Sequence, residues 1–214
     1  TPRAQNGDYD FESIHALDLP LLNDHLVELL SGRTVEPPFY NFKTGQREYS
    51  GRKIQVGPEQ VLLVEGIHGL NPDLTATIPR DQKMLIYISA LTQLSIDHHN
   101  RIPTTDTRLI RRIVRDNQFR SHDALQTLRL WPAVRSGEEV NIFPFQEEAD
   151  VMFNSALIYE LSVLRQYAEP LLAKITPEYP EYLEARRLTG FLRHFRLAPP
   201  DQVPSTSILR EFIG

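Results

Sequence analysis

The chain has 214 residues, 41% hydrophobic and 24% charged, which suits one large or two small domains of an ordinary globular protein. A net charge of −5 argues against a general nucleic-acid-binding surface, and the lack of cysteine excludes disulfides, thiolate metal sites and cysteine nucleophiles. No run is long enough to span a membrane and no signal-peptide pattern is present, which points to the cytoplasm.

The sequence opens on Thr1-Pro2-Arg3 rather than methionine, and residues 1–8 read as an irregular entry continuing from an upstream segment. Residues 10–18 (DFESIHALD) lead into a first helix. Asp18 is suited to cap it, Pro20 falls in its first turn, and Gly32 follows its last. Leu22, Leu26, Leu29 and Leu30 give it an apolar face. In residues 35–49 (VEPPFYNFKTGQREY), aromatic and polar residues alternate on either side of Thr44-Gly45, which predicts a hairpin or an extended excursion.

Residues 61–64 (VLLV), closed by Glu65-Gly66, read as a buried parallel strand ending in a carboxylate and a turn. Residues 84–88 (MLIYI) are a second strand, with one helical turn in the linker between them. Residues 91–101 form a polar, histidine-containing helix or loop. Residues 104–120, TTDTRLIRRIVRDNQFR, then form a helix carrying Arg108, Arg111, Arg112 and Arg115, with Arg120 at its end. Ser121 can cap a further helix over 122–135, which Pro132 bends or ends. Residues 149–153 (ADVMF) are a third strand, residues 156–174 and 180–195 are amphipathic helices, and the sequence closes on SILREFIG. This alternation predicts an α/β domain with a mostly parallel sheet flanked by helices. Three strands are too few for a complete domain of that kind, so further N-terminal elements are expected upstream.

The arginine helix carries the strongest chemical signal. At roughly 100° per residue, Arg108, Arg111, Arg112 and Arg115 share one arc, while Leu109, Ile110, Ile113 and Val114 take the opposite side. Of the 23 basic residues, 19 are arginine, whose planar fork suits phosphate oxygens; a solvated basic face is the plainer alternative. Glu65, at the carboxyl end of a strand, can hold Mg²⁺ directly or through water, or serve as a cap or ion-pair partner. Tyr40 and Phe42, with Arg47 nearby, can wall a flat ring or simply fill a core. The histidines, including the adjacent His98 and His99, show no metal-ligand spacing and read as surface or loop residues. There is no G-x-x-x-x-G-K-[ST] motif and no Gly-Lys pair, so this stretch of chain does not supply a phosphate loop.

Five blocks in order carry a resemblance to the uridine kinase/phosphoribulokinase-like P-loop kinases: YDFESIHALD, VEPPFYNFKTGQR, VLLVEGI, DTRLIRRIVRD with Arg120, and ADVMF. The likeness is greatest to the long bacterial uridine-kinase-like proteins. It implies a P-loop NTPase-type fold whose P-loop part precedes this chain, with a kinase domain over residues 1–175 and a C-terminal helical extension over 176–214. It also implies roles by position. Glu12 matches the acid that holds ribose hydroxyls, Tyr40 and Phe42 match the aromatics around the base, and Glu65 matches the Walker-B-like acid near Mg²⁺. Arg112 matches a lid arginine on the nucleoside side, and Arg115 and Arg120 match lid arginines on the transferring phosphates. Asn154 and Ser155 fall where the adenine-side loop follows the last strand. The implied activity is ATP- and Mg²⁺-dependent phosphoryl transfer to a nucleoside hydroxyl by the intact protein, the chain as given being inactive. Self-association is a further expectation, and a nucleic-acid partner is not expected.

The sequence also departs from the pattern. Gly45 stands where pyrimidine kinases carry a base-reading histidine, Ser121-His122 replaces a glycine-arginine pair, Leu130 replaces a lid glutamine, and residues 91–105 are an insertion. Two further readings therefore stay open. One is a kinase for another small hydroxyl acceptor, such as a sugar phosphate or a pantothenate-like compound. The other is a non-catalytic ligand-binding or RNA-associated module on a kinase fold.

Overall fold

In the computed structural model, residues 2, 10, 12–41 and 44–214 are described. The expected entry over 1–8 (Pro2 apart) and the Phe42 side chain lie outside the described residues. The chain divides into two compact units, residues 1–87 with 137–151 and residues 88–136 with 152–214.

In the first unit, helix α1 (Leu19–Leu30) starts where the sequence predicts. Asp18 accepts a hydrogen bond from the Leu21 amide at 3.2 Å, Pro20 sits in the first turn, and Gly32 follows with φ 74°. Leu26 and Leu29 are buried; Leu30, expected on the apolar face, is exposed. The buried Asn23 fastens α1 to the turn at Pro72–Thr75. Its Nδ2 donates to the Leu19 and Leu74 carbonyls, and its Oδ1 accepts from the Thr77 amide and hydroxyl. Every polar atom of that side chain is thus satisfied, as burial requires. Strands β1 (Phe39–Asn41) and β2 (Gln46–Glu48) form the expected antiparallel hairpin, with Tyr40 opposite Arg47 and Gly45 at φ 67° in the turn.

Residues 61–64 are not a strand. Val61 is 93% exposed and Leu63 83%, and no described strand pairs with them. An unbroken apolar run suits a strand covered on both faces. Here only Leu62 is partly covered and the other three side chains are exposed, so pattern alone does not make it a strand. The linker that follows contains two 3₁₀ turns, at Pro72–Thr75 and Arg80–Gln82, rather than one helical turn.

Strands β3 (Ile86–Ser89) and β4 (Val151–Asn154) form a two-stranded sheet. The Asp150 amide donates to the Leu85 carbonyl at 2.9 Å and the Ser155 amide to the Ser89 carbonyl at 2.8 Å, so the partners advance together and the pairing is parallel. The fold is therefore α/β with a parallel sheet, as predicted, although two of the three expected strands form it.

The second unit is built on helices. Helix α2 (Thr104–Phe119) buries Leu109, Ile110, Ile113 and Val114 against α4 (Glu160–Leu172) and α6 (Arg210–Ile213), and α5 (Tyr182–Leu192) packs on α4. One core thus joins Ile110, Leu164, Leu188 and Leu209, all fully buried, and the stretch over 176–214 contributes to it directly. Helix α3 (Ala124–Asn141) begins after Asp123 rather than Ser121. The Asp123 carboxylate accepts from the Gln126 amide at 2.7 Å, while the Gln126 side chain accepts from the Asp123 amide at 3.0 Å. This reciprocal capping box displaces the predicted serine cap. Ser121 instead takes φ 56°, closing α2 as the His122 amide returns to the Asp116 carbonyl. Pro132 lies inside α3, which runs on to Asn141 instead of ending near 135. Residues 91–103 are a loop pinned by Arg101, whose Nε and Nη2 donate to the Thr92 carbonyl at 3.0 and 2.8 Å. No helix among the described residues is long and apolar enough to cross a membrane.

Candidate functional site

The second unit holds a cavity of about 190 Å³. Its floor comes from the carboxyl ends of the parallel strands: Ile88, Ser89 and Ala90 at the end of β3, and Ser155 just after β4. Helix α2 lines one wall with Arg108, Arg111, Arg112 and Arg115, α3 adds Trp131 and Val134, and α6 adds Glu211 and Phe212. Ligands of open α/β sheets bind at that end of the strands.

The four arginines are not equivalent. Arg111, which the helical wheel places with the others, is turned inward. Its side chain is 8% exposed and that of its partner Glu160 2%. Its Nε and Nη2 lie 2.7 and 2.5 Å from Glu160 Oε2, its Nη1 donates to Ser155 Oγ at 3.1 Å, and its Nη2 donates to the Ser155 carbonyl at 2.6 Å. The Phe212 ring lies 5.1 Å from the guanidinium carbon. Burial pushes the Glu160 carboxyl above the usual range, against the downward pull of Arg111. Arg111 thus braces the cavity and is not free to receive a ligand.

Arg112, Arg115 and Arg120 gather around one fully buried carboxylate, Asp116. Arg112 Nε lies 3.1 Å from Oδ2, and Arg115 Nε and Arg120 Nη1 lie 3.6 and 3.4 Å from Oδ1. Both Asp116 oxygens and the Nε atoms of Arg112 and Arg115 lack well-aligned hydrogen bonds, so the cluster is held by charge. One carboxylate among three guanidiniums leaves a net positive field. Accordingly, burial, then the neighbouring Arg120 and Arg112, lowers Arg115 below the usual arginine value, against Asp116 and Glu211. Asp116 was missed by sequence reasoning. The available signal was the spacing Arg112-Asp116-Arg120, two successive i,i+4 pairs on one helix.

Asn154 and Ser155 lie in the same unit as these arginines. Both are engaged with their own loop and helix: Asn154 Nδ2 donates to the Leu91 carbonyl at 2.9 Å, its Oδ1 accepts from the Ala156 amide at 2.9 Å, and Ser155 receives Arg111. Glu12, Tyr40 and Glu65 lie in the first unit and are all exposed. A Cβ placed on Gly137 would stand 3.6 Å from Glu12 Oε2. Arg47 pairs with Asp18 and so ties the Tyr40 hairpin to the start of α1. His98 and His99 are exposed, as expected, but His68 is buried with its Nδ1 unpartnered, contrary to the surface reading. Burial depresses its pKa, with the nearby Glu12 acting in the opposite direction.

No group of three or more histidine and acidic residues among those described could hold a metal ion. A lone Glu65 is still compatible with Mg²⁺, which keeps most of its waters and is shared with substrate phosphates.

An arginine-lined cavity at the carboxyl ends of parallel strands defines an α/β domain whose donors suit a phosphate-bearing ligand. The chain belongs to the phosphoribulokinase/uridine kinase family, whose sequence profile matches residues 1–161. It is 30% identical over 160 residues to a uridine kinase of Mycoplasma pneumoniae, covering 74% of this chain and 66% of that protein. It is 32% identical over 149 residues to one of Brevibacillus brevis (69% and 59%), and 29% identical over 138 residues to one of Bacillus pumilus (64% and 57%). The chain thus spans between 57% and 66% of the length of these relatives.

Proposed function

We propose that the intact protein transfers the γ-phosphoryl group of ATP to a hydroxyl of a nucleoside. The observation that carries this reading is the arginine cavity at the ends of β3 and β4, together with the uridine kinase relatives. In this reading Arg115 and Arg120 stabilise the charge spread over the transferring group, where fixed cations act without reorganising. The family resemblance assigns Arg112 to the acceptor side, Glu12 to the ribose hydroxyls, and Tyr40 and Phe42 to the base. Asn154 and Ser155 belong to the nucleotide-side loop, and their present hydrogen bonds keep it in shape. Glu65 would hold Mg²⁺ directly or through water, and the ion would supply charge neutralisation for the phosphates.

The nest of backbone amides and the lysine that cradle ATP would come from an upstream P-loop element, which the residues here do not contain. Additional strands of the intact sheet would also cover the apolar side chains now exposed on 61–64, β3 and β4. Purified as it stands, the 214-residue chain should show no ATP-dependent turnover, and measurable turnover would refute this account. In the intact enzyme Arg115→Ala should lower kcat by a factor on the order of 10²–10³. Unchanged kcat would reduce the arginine face to a solvated surface.

A second acceptor class is favoured by one observation. Gly45 sits in the hairpin turn at φ 67°, a conformation that suits glycine and strains other side chains. The base-reading histidine of pyrimidine kinases would therefore be strained at this position. A kinase of the same site acting on another small hydroxyl compound fits that departure. Steady-state screening of nucleosides, sugar phosphates and pantothenate-like compounds separates the two. Preferred turnover of a nucleoside supports the first reading, and preference for any other acceptor replaces it.

A further inference from the structure

The last helix contributes an anion to the arginine cavity. Glu211 Oε1 lies 3.6 Å from Arg115 Nη1 and forms part of the cavity wall with Phe212. This carboxylate stands where an incoming phosphate oxygen would meet the same guanidinium. The geometry points to Glu211 as an internal stand-in for phosphate, which occupies Arg115 when the cavity is empty and swings aside when a phosphate group enters. The inference rests on the reading of this cavity as a phosphate site.

Both ends of α6 are anchored. Phe212 and Ile213 are buried in the core, and the Ile213 carbonyl accepts from Gln118 Nε2 at 3.0 Å. Arg210 donates to the carbonyls of Pro200 and Val203 on the other side. The helix backbone is therefore held in place. The Glu211 side chain is 56% exposed, and its contact with Arg115 is too long for a good hydrogen bond. Moving it requires a rotamer change and a modest loss of ion-pair energy, since more than half of the side chain is already exposed.

A device of this kind has two consequences. It adds to Asp116 in holding the guanidinium near its working position when no ligand is bound, offsetting the repulsion of Arg115 by Arg112 and Arg120. It also sets a threshold on affinity, since each phosphate must displace a carboxylate. The threshold is the same for every anion that takes the place of Glu211 on Arg115.

The test uses inorganic pyrophosphate as probe, titrated calorimetrically into the 214-residue chain at low salt. Glu211→Gln keeps the shape of the side chain and should bind pyrophosphate about 2- to 5-fold more tightly, the range expected for a partly exposed ion pair. The gain should shrink in 0.5 M salt through screening. Arg115→Ala should weaken pyrophosphate binding in either background. Equal or weaker binding by Glu211→Gln, with Arg115→Ala still harmful, overturns the role of Glu211 alone. No effect of Arg115→Ala, or no binding by wild type and Glu211→Gln alike, overturns the phosphate reading of the cavity as well.

Discussion

Removing Arg111 while leaving Glu160 in place is the sharpest perturbation of the cavity frame. Arg111→Met keeps much of the side-chain volume and removes both contacts to Glu160 Oε2, at 2.7 and 2.5 Å, together with the donors to Ser155. The Glu160 carboxylate, 2% exposed, then keeps only the Leu157 amide at 3.2 Å on its other oxygen. Breaking a buried pair from one side costs about 3–5 kcal/mol, because an uncompensated charge remains in a poorly solvating interior. Removing both partners with Arg111→Met/Glu160→Leu eliminates that charge and should recover most of the loss, ending within about 1–2 kcal/mol of wild type. Equilibrium urea unfolding of the four proteins closes the cycle. The pH dependence of the single variant supplies an internal check. Without Arg111, only burial and one amide act on Glu160, so its folded-state pKa rises further above the unfolded value. Protonation then favours the folded state, and the deficit should shrink as pH falls from neutrality toward the carboxylate range. A cost below 1 kcal/mol for Arg111→Met, or a double variant as unstable as the sum of the singles, would show that the pair does not brace the cavity.

Three other outcomes follow from the same structure. His68 is buried and its pKa is depressed from the ordinary 6.5, so the unfolded chain takes up the proton first; stability should fall as pH drops through about 6.5, and His68→Leu should flatten that slope in pH-dependent denaturation. Arg187 donates to both oxygens of the buried Asp106 at 2.7 Å, clamping α5 to the first turn of α2; Arg187→Ala should cost about 1–3 kcal/mol by leaving Asp106 unpaired, and a thermal melt unchanged within error would refute the clamp. Leu63→Ser should change stability by less than about 0.5 kcal/mol in this chain, whereas Leu164→Ala, at a fully buried site, should cost about 2–5 kcal/mol; similar losses would mean that residues 61–64 are packed after all.

Much of the local structure was legible from side chains alone. The Asp18 cap with Pro20 and Gly32, the hairpin about Thr44-Gly45, and the amphipathic α2 are set by interactions within a few residues, which sequence spacing records directly. The misreadings occurred where two signals compete or where a distant partner decides. Ser121 and Asp123 both suit a helix cap, and the reciprocal bond available only to Asp123 with Gln126 selected the latter. Residues 61–64 have the composition of a buried strand, but a strand needs neighbours for its ladder, and that requirement is not local.

The arginine helix shows where the division falls. Helical spacing by itself determined that guanidiniums cluster along one side of α2 and aliphatic side chains along the other. It also brought Arg112, Asp116 and Arg120 within reach of one another, one turn apart. Only the tertiary structure decided that Arg111 leaves the open face to meet Glu160, 49 residues away, and that Glu211, nearly a hundred residues on, returns to face Arg115. The physical reason is the difference between a period and a partner. A helix repeats every 3.6 residues whatever surrounds it, but whether a given arginine ends buried or open depends on which carboxylate the packed core delivers to it.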